Sequence, residues 1–155
     1  MLAVELEQYL HEHIPLSRAM AVGVASIDEG TVILRAPLAP NINHQESVFG
    51  GSASALAILA GWTLLHVRLR AAGVASRLVI QRNTMEYEQP ITGAFTARAW
   101  LEQPERWGQF TAMLMRKGKG RITVSAVLEQ AGGQAGRFRG EFVALAANES
   151  TGRLR

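Results

Sequence analysis

The sequence predicts an α+β fold in which a curved antiparallel sheet of five to seven strands wraps around one long central helix. Residues 51–72 are apolar on nearly every helical face, which indicates a buried helix. After Gly73, polar and apolar residues alternate in short segments separated by glycine-rich turns, as in antiparallel strands. A helix that is apolar all round must be enclosed, and a sheet curved around it is the simplest enclosure.

The N-terminal half is predicted to hold two helices and a hairpin. Leu6 and Leu10 share one helical face, and Pro15 ends that periodicity. Two short runs rich in Val and Ile flank Asp28-Glu29-Gly30, which is typical of a hairpin turn. The predicted segments are a short N-terminal helix 2–14, strands 19–27 and 31–38, a loop 39–50 and the central helix 51–72.

The C-terminal half is predicted to be strands. Phe95, Ala97 and Ala99 alternate with polar or amphipathic neighbours, and residues 106–116 are interpreted in the same way. The predicted strands are 77–88, 94–102, 106–116, 121–130 and 137–145, followed by a frayed C-terminus over 147–155. With no linker-like stretch in 155 residues, we expect a single domain over residues 1–155.

Composition excludes several classes of protein. Hydrophobic residues make up 48% of the chain and charged residues 19%, which excludes a disordered protein. The absence of cysteine excludes disulfides, thiolate nucleophiles and zinc fingers. The four histidines lack the spacing of a metal motif, so we expect no metal and no cofactor.

Charge and hydropathy bear on partners and location. The formal charge is +3 and 14 of the 16 basic residues are arginine, but they are scattered among acids, so nucleic-acid binding is not predicted. Residues 48–65 carry no charge, and a run of this length could span a membrane. Because the run is rich in small residues, we expect a buried helix instead. The glutamate-rich N-terminus does not resemble a secretory signal, and we expect a cytoplasmic protein.

The residues that could carry chemistry lie in the loop before the central helix. A helix N-terminus carries unpaired N–H groups and a partial positive charge, and the glycines Gly50 and Gly51 would let a ligand carbonyl reach them. Asn43, His44 or Glu46 could orient or deprotonate a water that attacks this carbonyl. The same residues also suit a purely structural role as a helix cap and a packing site.

The loop and helix start resemble a known family. The pattern Asn41-x-Asn43-x-x-x-Ser47-Val48-Phe49-Gly50-Gly51-Ser52, followed by Gly61-Trp62, resembles the hotdog-fold thioesterases. It is most similar to the thioesterase-like domain found C-terminal to acetyltransferases in some bacterial proteins, the YiiD C-terminal-domain family. Tyr87-x-x-Pro90-Ile91-x-Gly93 resembles a sheet motif of the same superfamily, and the likeness extends over about residues 5–146.

The resemblance implies a dimer, often paired into a tetramer, in which an acyl thioester binds between protomers. Gly50 and Gly51 would hold the oxyanion, and Asn43 would position water or carbonyl. The sequence differs from many relatives at three places. Phe49 stands where many have a histidine, and Glu46 where they usually have a glycine. Many also carry an Asp or Glu about two turns into the helix, at a place that falls near Ile58 here, with Ser54 and Thr63 as the nearest polar residues.

The resemblance therefore predicts a thioesterase acting on acyl-CoA or an acyl-carrier protein, with Glu46 or His44 as the base. A non-catalytic acyl-CoA-binding module and a hotdog dehydratase or isomerase using His44 are the alternatives. The residues expected to contact substrate are Phe49, Ser54, Ala57, Ile58, Gly61, Trp62 and Arg82.

Overall fold

The computed structural model describes residues 2–147, which form four helices and six strands. Two single 3₁₀ turns, Ala39–Asn41 and Pro104–Arg106, lie between them. The longer elements are α1 (Ala3–His13), α2 (Pro15–Ala19), β1 (Gly23–Ile27), β2 (Thr31–Ala36), α3 (Gly50–Ala71), β3 (Ser76–Tyr87), β4 (Phe95–Leu101), α4 (Trp107–Lys117), β5 (Lys119–Gln130) and β6 (Gly133–Ala146).

The six strands form one antiparallel sheet in the order β1-β2-β4-β5-β6-β3. Strand β4 alternates as predicted, with Phe95, Ala97, Ala99 and Leu101 buried and the residues between them partly exposed. The buried face packs against α3, so the predicted α+β arrangement of a sheet around a long helix is confirmed. The 12-residue β3 lies at one edge of this sheet.

Helix α3 begins at Gly50, one residue before the predicted start, and forms the core of the fold. It is apolar and long enough to cross a membrane by length and composition alone. In the structure, 56% of its most apolar window is buried inside the fold. Gly61 marks a close contact with the sheet, because a Cβ there would lie 3.0 Å from the Phe142 ring and 3.2 Å from Val124.

The N-terminal helix differs in detail from the prediction. Pro15 ends the first helix but also begins α2, where its missing N–H costs nothing at a first helical position. Leu6 and Leu10 are fully buried, as their shared face predicts. The carboxylate of Glu7 accepts a hydrogen bond from the Val24 N–H at 3.0 Å, which ties α1 to β1.

The prediction of a strand over residues 106–116 is wrong, because this segment is helix α4. Its buried residues Phe110 and Leu114 are four apart, which is the period of a helix face. Gly118 ends the helix with a left-handed backbone at φ +75°. A Cβ at Gly120 would lie 2.9 Å from the Phe110 carbonyl oxygen, so glycine there lets α4 approach β5 closely. The predicted frayed C-terminus lies, apart from Ala147, outside the described residues.

Candidate functional site

The loop before α3 is shaped by the side chain of Asn43. Its Oδ1 accepts hydrogen bonds from the N–H groups of Gln45 at 2.8 Å and Ser47 at 3.1 Å. Its Nδ2 donates to the Ser47 hydroxyl at 3.0 Å. An asparagine that accepts bonds from the residues just after it closes a local turn. Asn43, half-buried, therefore fixes the loop, and one N–H of its amide still has no partner in the described chain.

Two other loop residues predicted to be catalytic project into solvent. His44 and Glu46 are exposed, and no hydrogen bond of either side chain is seen within residues 2–147. Glu46 has a left-handed backbone at φ +61°, an uncommon conformation for a residue with a Cβ. Its N–H donates to the Asn43 carbonyl oxygen at 3.2 Å, so the turn that Asn43 closes also holds Glu46 in place.

Asn41 anchors the same loop to the body of the protein. The side chain is buried, and its Nδ2 donates to the carbonyl oxygens of Met20 at 3.0 Å and Pro37 at 2.8 Å. Its own carbonyl oxygen accepts from the Phe49 N–H at 2.7 Å. The start of α3 is thus fixed relative to α2 and β2.

The N-terminus of α3 is open. No side chain caps the helix, and no acidic residue lies in its first turn to offset the positive end of the helix dipole. Gly51 is exposed and Gly50 half-buried. The Phe49 ring, 58% exposed, lies over Gly51 and occupies the place of a Cβ there. These first N–H groups are left to a ligand oxygen, which must reach them beside the Phe49 ring.

Tyr87 joins the sheet motif to the helix start. Its hydroxyl donates a hydrogen bond to the Gly50 carbonyl oxygen at 3.3 Å, and the Val48 N–H donates to the Ile91 carbonyl oxygen at 2.8 Å. A cleft of about 320 Å³ lies between the two segments, with Ser47, Tyr87 and Pro90 among its lining residues. The two sequence motifs thus meet at one place in the fold.

An apolar groove of about 580 Å³ lies beside α3. Ala55, Ile58, Leu59 and Trp62 form its α3 side. The opposite sides come from the α1–α2 segment, from β3 and from β6, with residues Ile14, Leu16, Met20, Leu78, Val79, Ile80 and Phe142. Volumes of this size and apolar linings are typical of small-molecule sites.

Only some of the residues expected to contact substrate lie at the groove or at the helix start. Ile58 and Trp62 line the groove, and Phe49 lies at the helix start. Ala57 and Gly61 are buried, and Gly61 faces the sheet, so both lie outside the groove. Ser54 is half-buried and also lies outside it.

Arg82 is separate from the groove as well. Its side chain is 77% exposed and lies 3.8 Å from Glu141, which lines a different, polar cleft together with Arg121 and Arg139.

Sequence reasoning missed the groove residues outside α3. Those of the segment from Ile14 to Met20 and of β3 belong to apolar runs that any core would need, and nothing in their spacing marks a cavity. Tyr87 was visible in its motif, but its hydrogen bond to Gly50 joins residues 37 positions apart and depends on the fold.

A family model described as "Putative thioesterase (yiiD_Cterm)" matches residues 3–146. Among solved structures, a protein of unknown function from Chlorobaculum tepidum is 28% identical, with a TM-score of 0.88 and 94% of each chain covered. A "putative thioesterase" from Shewanella oneidensis is 25% identical, with a TM-score of 0.82 and coverage of 92% of this chain and 96% of that one. A "probable thioesterase" from Pseudomonas aeruginosa, 24% identical with a TM-score of 0.78 and coverage of 94% and 97%, shares the hotdog architecture.

Proposed function

Because this chain belongs to the putative thioesterase family described as yiiD_Cterm, we propose that it hydrolyses acyl thioesters carried by coenzyme A or an acyl-carrier protein. The observation that carries this proposal is the uncapped N-terminus of α3 beside an apolar groove of about 580 Å³. A thioester has a polar carbonyl next to an apolar chain, and the site offers N–H donors next to an apolar surface.

The reaction follows from this arrangement. Water adds to the thioester carbon, and the oxygen that becomes negative is stabilised by the N–H groups of Gly50 and Gly51 and by the helix dipole. Glu46 or His44 takes the proton from the attacking water. The tetrahedral intermediate then collapses, the carbon–sulfur bond breaks and the thiol leaves with a proton. The products are a carboxylic acid and the free thiol of the carrier.

Asn43 acts mainly by holding the loop that carries Glu46. Its Oδ1 is occupied by two backbone N–H groups, so only its remaining amide N–H is available to a water or a carbonyl. Phe49 covers one side of Gly51 and limits the access of bulk water to the carbonyl.

The active unit of this proposal is a homodimer, which can pair further into a tetramer. Strand β3 spans 12 residues at the edge of the sheet, and its Leu78, Val79 and Ile80 also line the groove. Long uncovered edge strands readily pair with another chain, so a second copy would both extend the sheet and close the groove. Light scattering after size exclusion tests this unit, and a monomeric mass at micromolar concentration would contradict it.

The second candidate function is acyl-thioester binding without turnover. It is favoured by one observation: Ile58, on the groove side of α3, is apolar where the resemblance places a carboxylate in many relatives. A dehydratase or isomerase would need His44 to face an acid, and His44 forms no hydrogen bond within the described chain.

Hydrolysis is tested by mixing the pure protein with acyl-CoAs and acyl-carrier proteins and following the released thiol. We expect Glu46→Gln or His44→Gln, whichever removes the base, to lower kcat about 100-fold or more. Glu105→Gln is the matched control, because Glu105 is an exposed glutamate in the Pro104–Arg106 turn. Release of no thiol from any substrate would overturn the enzyme proposal, and tight binding without release would support the second candidate.

A further inference from the structure

The apolar groove ends at an aromatic wall formed by Trp62. The indole Nε1 donates a hydrogen bond to the carbonyl oxygen of Leu78 on β3 at 3.2 Å. The indole also stacks on the imidazole of His66, with 4.8 Å between the ring centroids and 10° between the planes. A ring held by both a hydrogen bond and a stack has little freedom to swing aside. The end of the groove is therefore fixed.

A second, smaller cleft lies behind this wall. It measures about 230 Å³, and His66, Arg70 and Leu78 are among its lining residues. Leu78 lines both spaces, and His66, which lines the second cleft, stacks on the Trp62 indole, which lines the groove. Tyr9 of α1 stacks on His66 at 4.7 Å and supports the wall from the outside. Removing the indole would extend the groove toward the second cleft.

The distance from the helix start to the wall sets a length. Ala55, Ile58 and Trp62 line the groove, and Gly51 lies one turn before Ala55 on the same face of α3. Eleven residues of helix span about 16 Å. One carbon-to-carbon contact of about 4 Å at the indole leaves about 12 Å for the chain. Bonds of about 1.5 Å at tetrahedral angles advance an extended chain by about 1.3 Å each, so about ten carbons fill that length.

We propose that Trp62 limits the length of the acyl chain that this site accepts to about ten carbons. The inference rests on the proposed thioester site at Gly50 and Gly51. Each methylene buried before the wall improves binding about fourfold, and methylenes beyond it gain nothing because they must bend out of the groove. The indole N–H is engaged by Leu78, so Trp62 acts on the chain by its volume and not by a polar contact.

The test compares the wild type with Trp62→Ala and Trp62→Phe over saturated acyl-CoAs of increasing length. In the wild type we expect kcat/KM to rise about fourfold per carbon up to about ten carbons and then to level or fall. In Trp62→Ala the best chain becomes longer, and the ratio of kcat/KM for 14 carbons to that for ten rises at least about 16-fold, the gain from two further buried methylenes. Trp62→Phe shifts the ratio in the same direction by less. Trp100→Ala is the matched control, because Trp100 lies on β4, away from the groove, and its length profile stays that of the wild type.

Binding of non-hydrolysable S-alkyl-CoA thioethers, measured by calorimetry, separates this inference from the proposed reaction. If no thioester is hydrolysed but thioether binding shows the length limit and its shift in Trp62→Ala, the enzyme proposal fails and the role of Trp62 holds. If hydrolysis occurs and the profiles of the folded Trp62 variants match the wild type, the reaction stands and the role of Trp62 is overturned. A Trp62→Ala protein that fails to fold leaves Trp62→Phe to decide by the same two measurements.

Discussion

The polar loop before α3 and the aromatic wall at the end of the groove hold their side chains in opposite ways. In the loop, Asn43 is fixed by hydrogen bonds to residues no more than four positions away. At the wall, Trp62 stacks on His66 one turn further along α3, but it is also fixed by a bond to Leu78, 16 residues away, and by stacking against Tyr9 from α1. The proposed chemistry therefore depends on side chains held by local contacts, and the proposed chain-length limit on contacts between distant segments.

The largest expected effect comes from the side of α3 that faces the sheet. In Gly61→Leu even the added Cβ would lie only 3.0 Å from the Phe142 ring, and the rest of the side chain would have no room. We therefore expect a loss of about 3 kcal/mol in the free energy of unfolding. Gly108→Leu is the matched control, because Gly108 lies in helix α4 and a Cβ there meets nothing within 4 Å. Urea denaturation measures both. Equal stability of the two variants would contradict the assignment of Gly61 to close packing.

A smaller effect is expected in the loop. Asn43→Ala removes the acceptor of two backbone N–H bonds and should cost about 1–2 kcal/mol. Asn43→Asp keeps that acceptor and should restore most of the stability in urea denaturation. The activity of Asn43→Asp separates two roles of this residue. If activity returns with stability, Asn43 acts by holding the loop in place. If activity stays low, the lost amide N–H contacts water or substrate.

The smallest effect is expected from pH at the wall. Burial lowers the pKa of His66 below its ordinary value of 6.5, and the nearby positive charges of Arg70 and His13 lower it further. The folded protein thus binds fewer protons at His66 than the unfolded chain does. The contribution of neutral His66 to the free energy of unfolding is therefore fully present above pH 6.5 and is lost as the pH falls through 6.5 toward the lowered pKa. We expect Tm to decrease between pH 7.5 and pH 5, as measured by circular dichroism.

His66→Gln sharpens this comparison because it keeps a polar side chain but cannot take up a proton. Its Tm should fall less over the same pH range than that of the wild type. An equal decrease in both proteins would assign the pH dependence to groups other than His66.

The fold was largely predictable because the pattern of polar and apolar residues within one segment indicates whether that segment is a helix or a strand. The alternation over Phe95–Leu101 matches β4 residue by residue, and the apolar run before Gly73 matches α3. The exception, α4, shows where this reasoning fails: its apolar residues fit a period of two in a short window, but Phe110 and Leu114 are buried together on one helical face against β5.

The candidate site was predictable only in its local part. Gly50, Gly51 and the turn around Asn43 follow from residue types whose conformational roles are fixed by their own chemistry. By contrast, Ala57 and Gly61 were expected at the substrate and lie outside the groove, because which side of a helix faces the sheet depends on its neighbours. Ile14 and Leu78 line the groove with no signal of their own in the sequence.

The sequence by itself determined the long buried helix, the antiparallel strands and the open glycine start of that helix, because periodicity and glycine conformation are properties of short segments. Tertiary structure alone decided that the segment from Ile14 to Met20, β3 and β6 enclose an apolar groove on one side of α3, that Tyr87 reaches Gly50, and that Trp62 lines the far end. These contacts join residues far apart in the chain, and the choice among apolar faces is made by packing, which no single segment encodes.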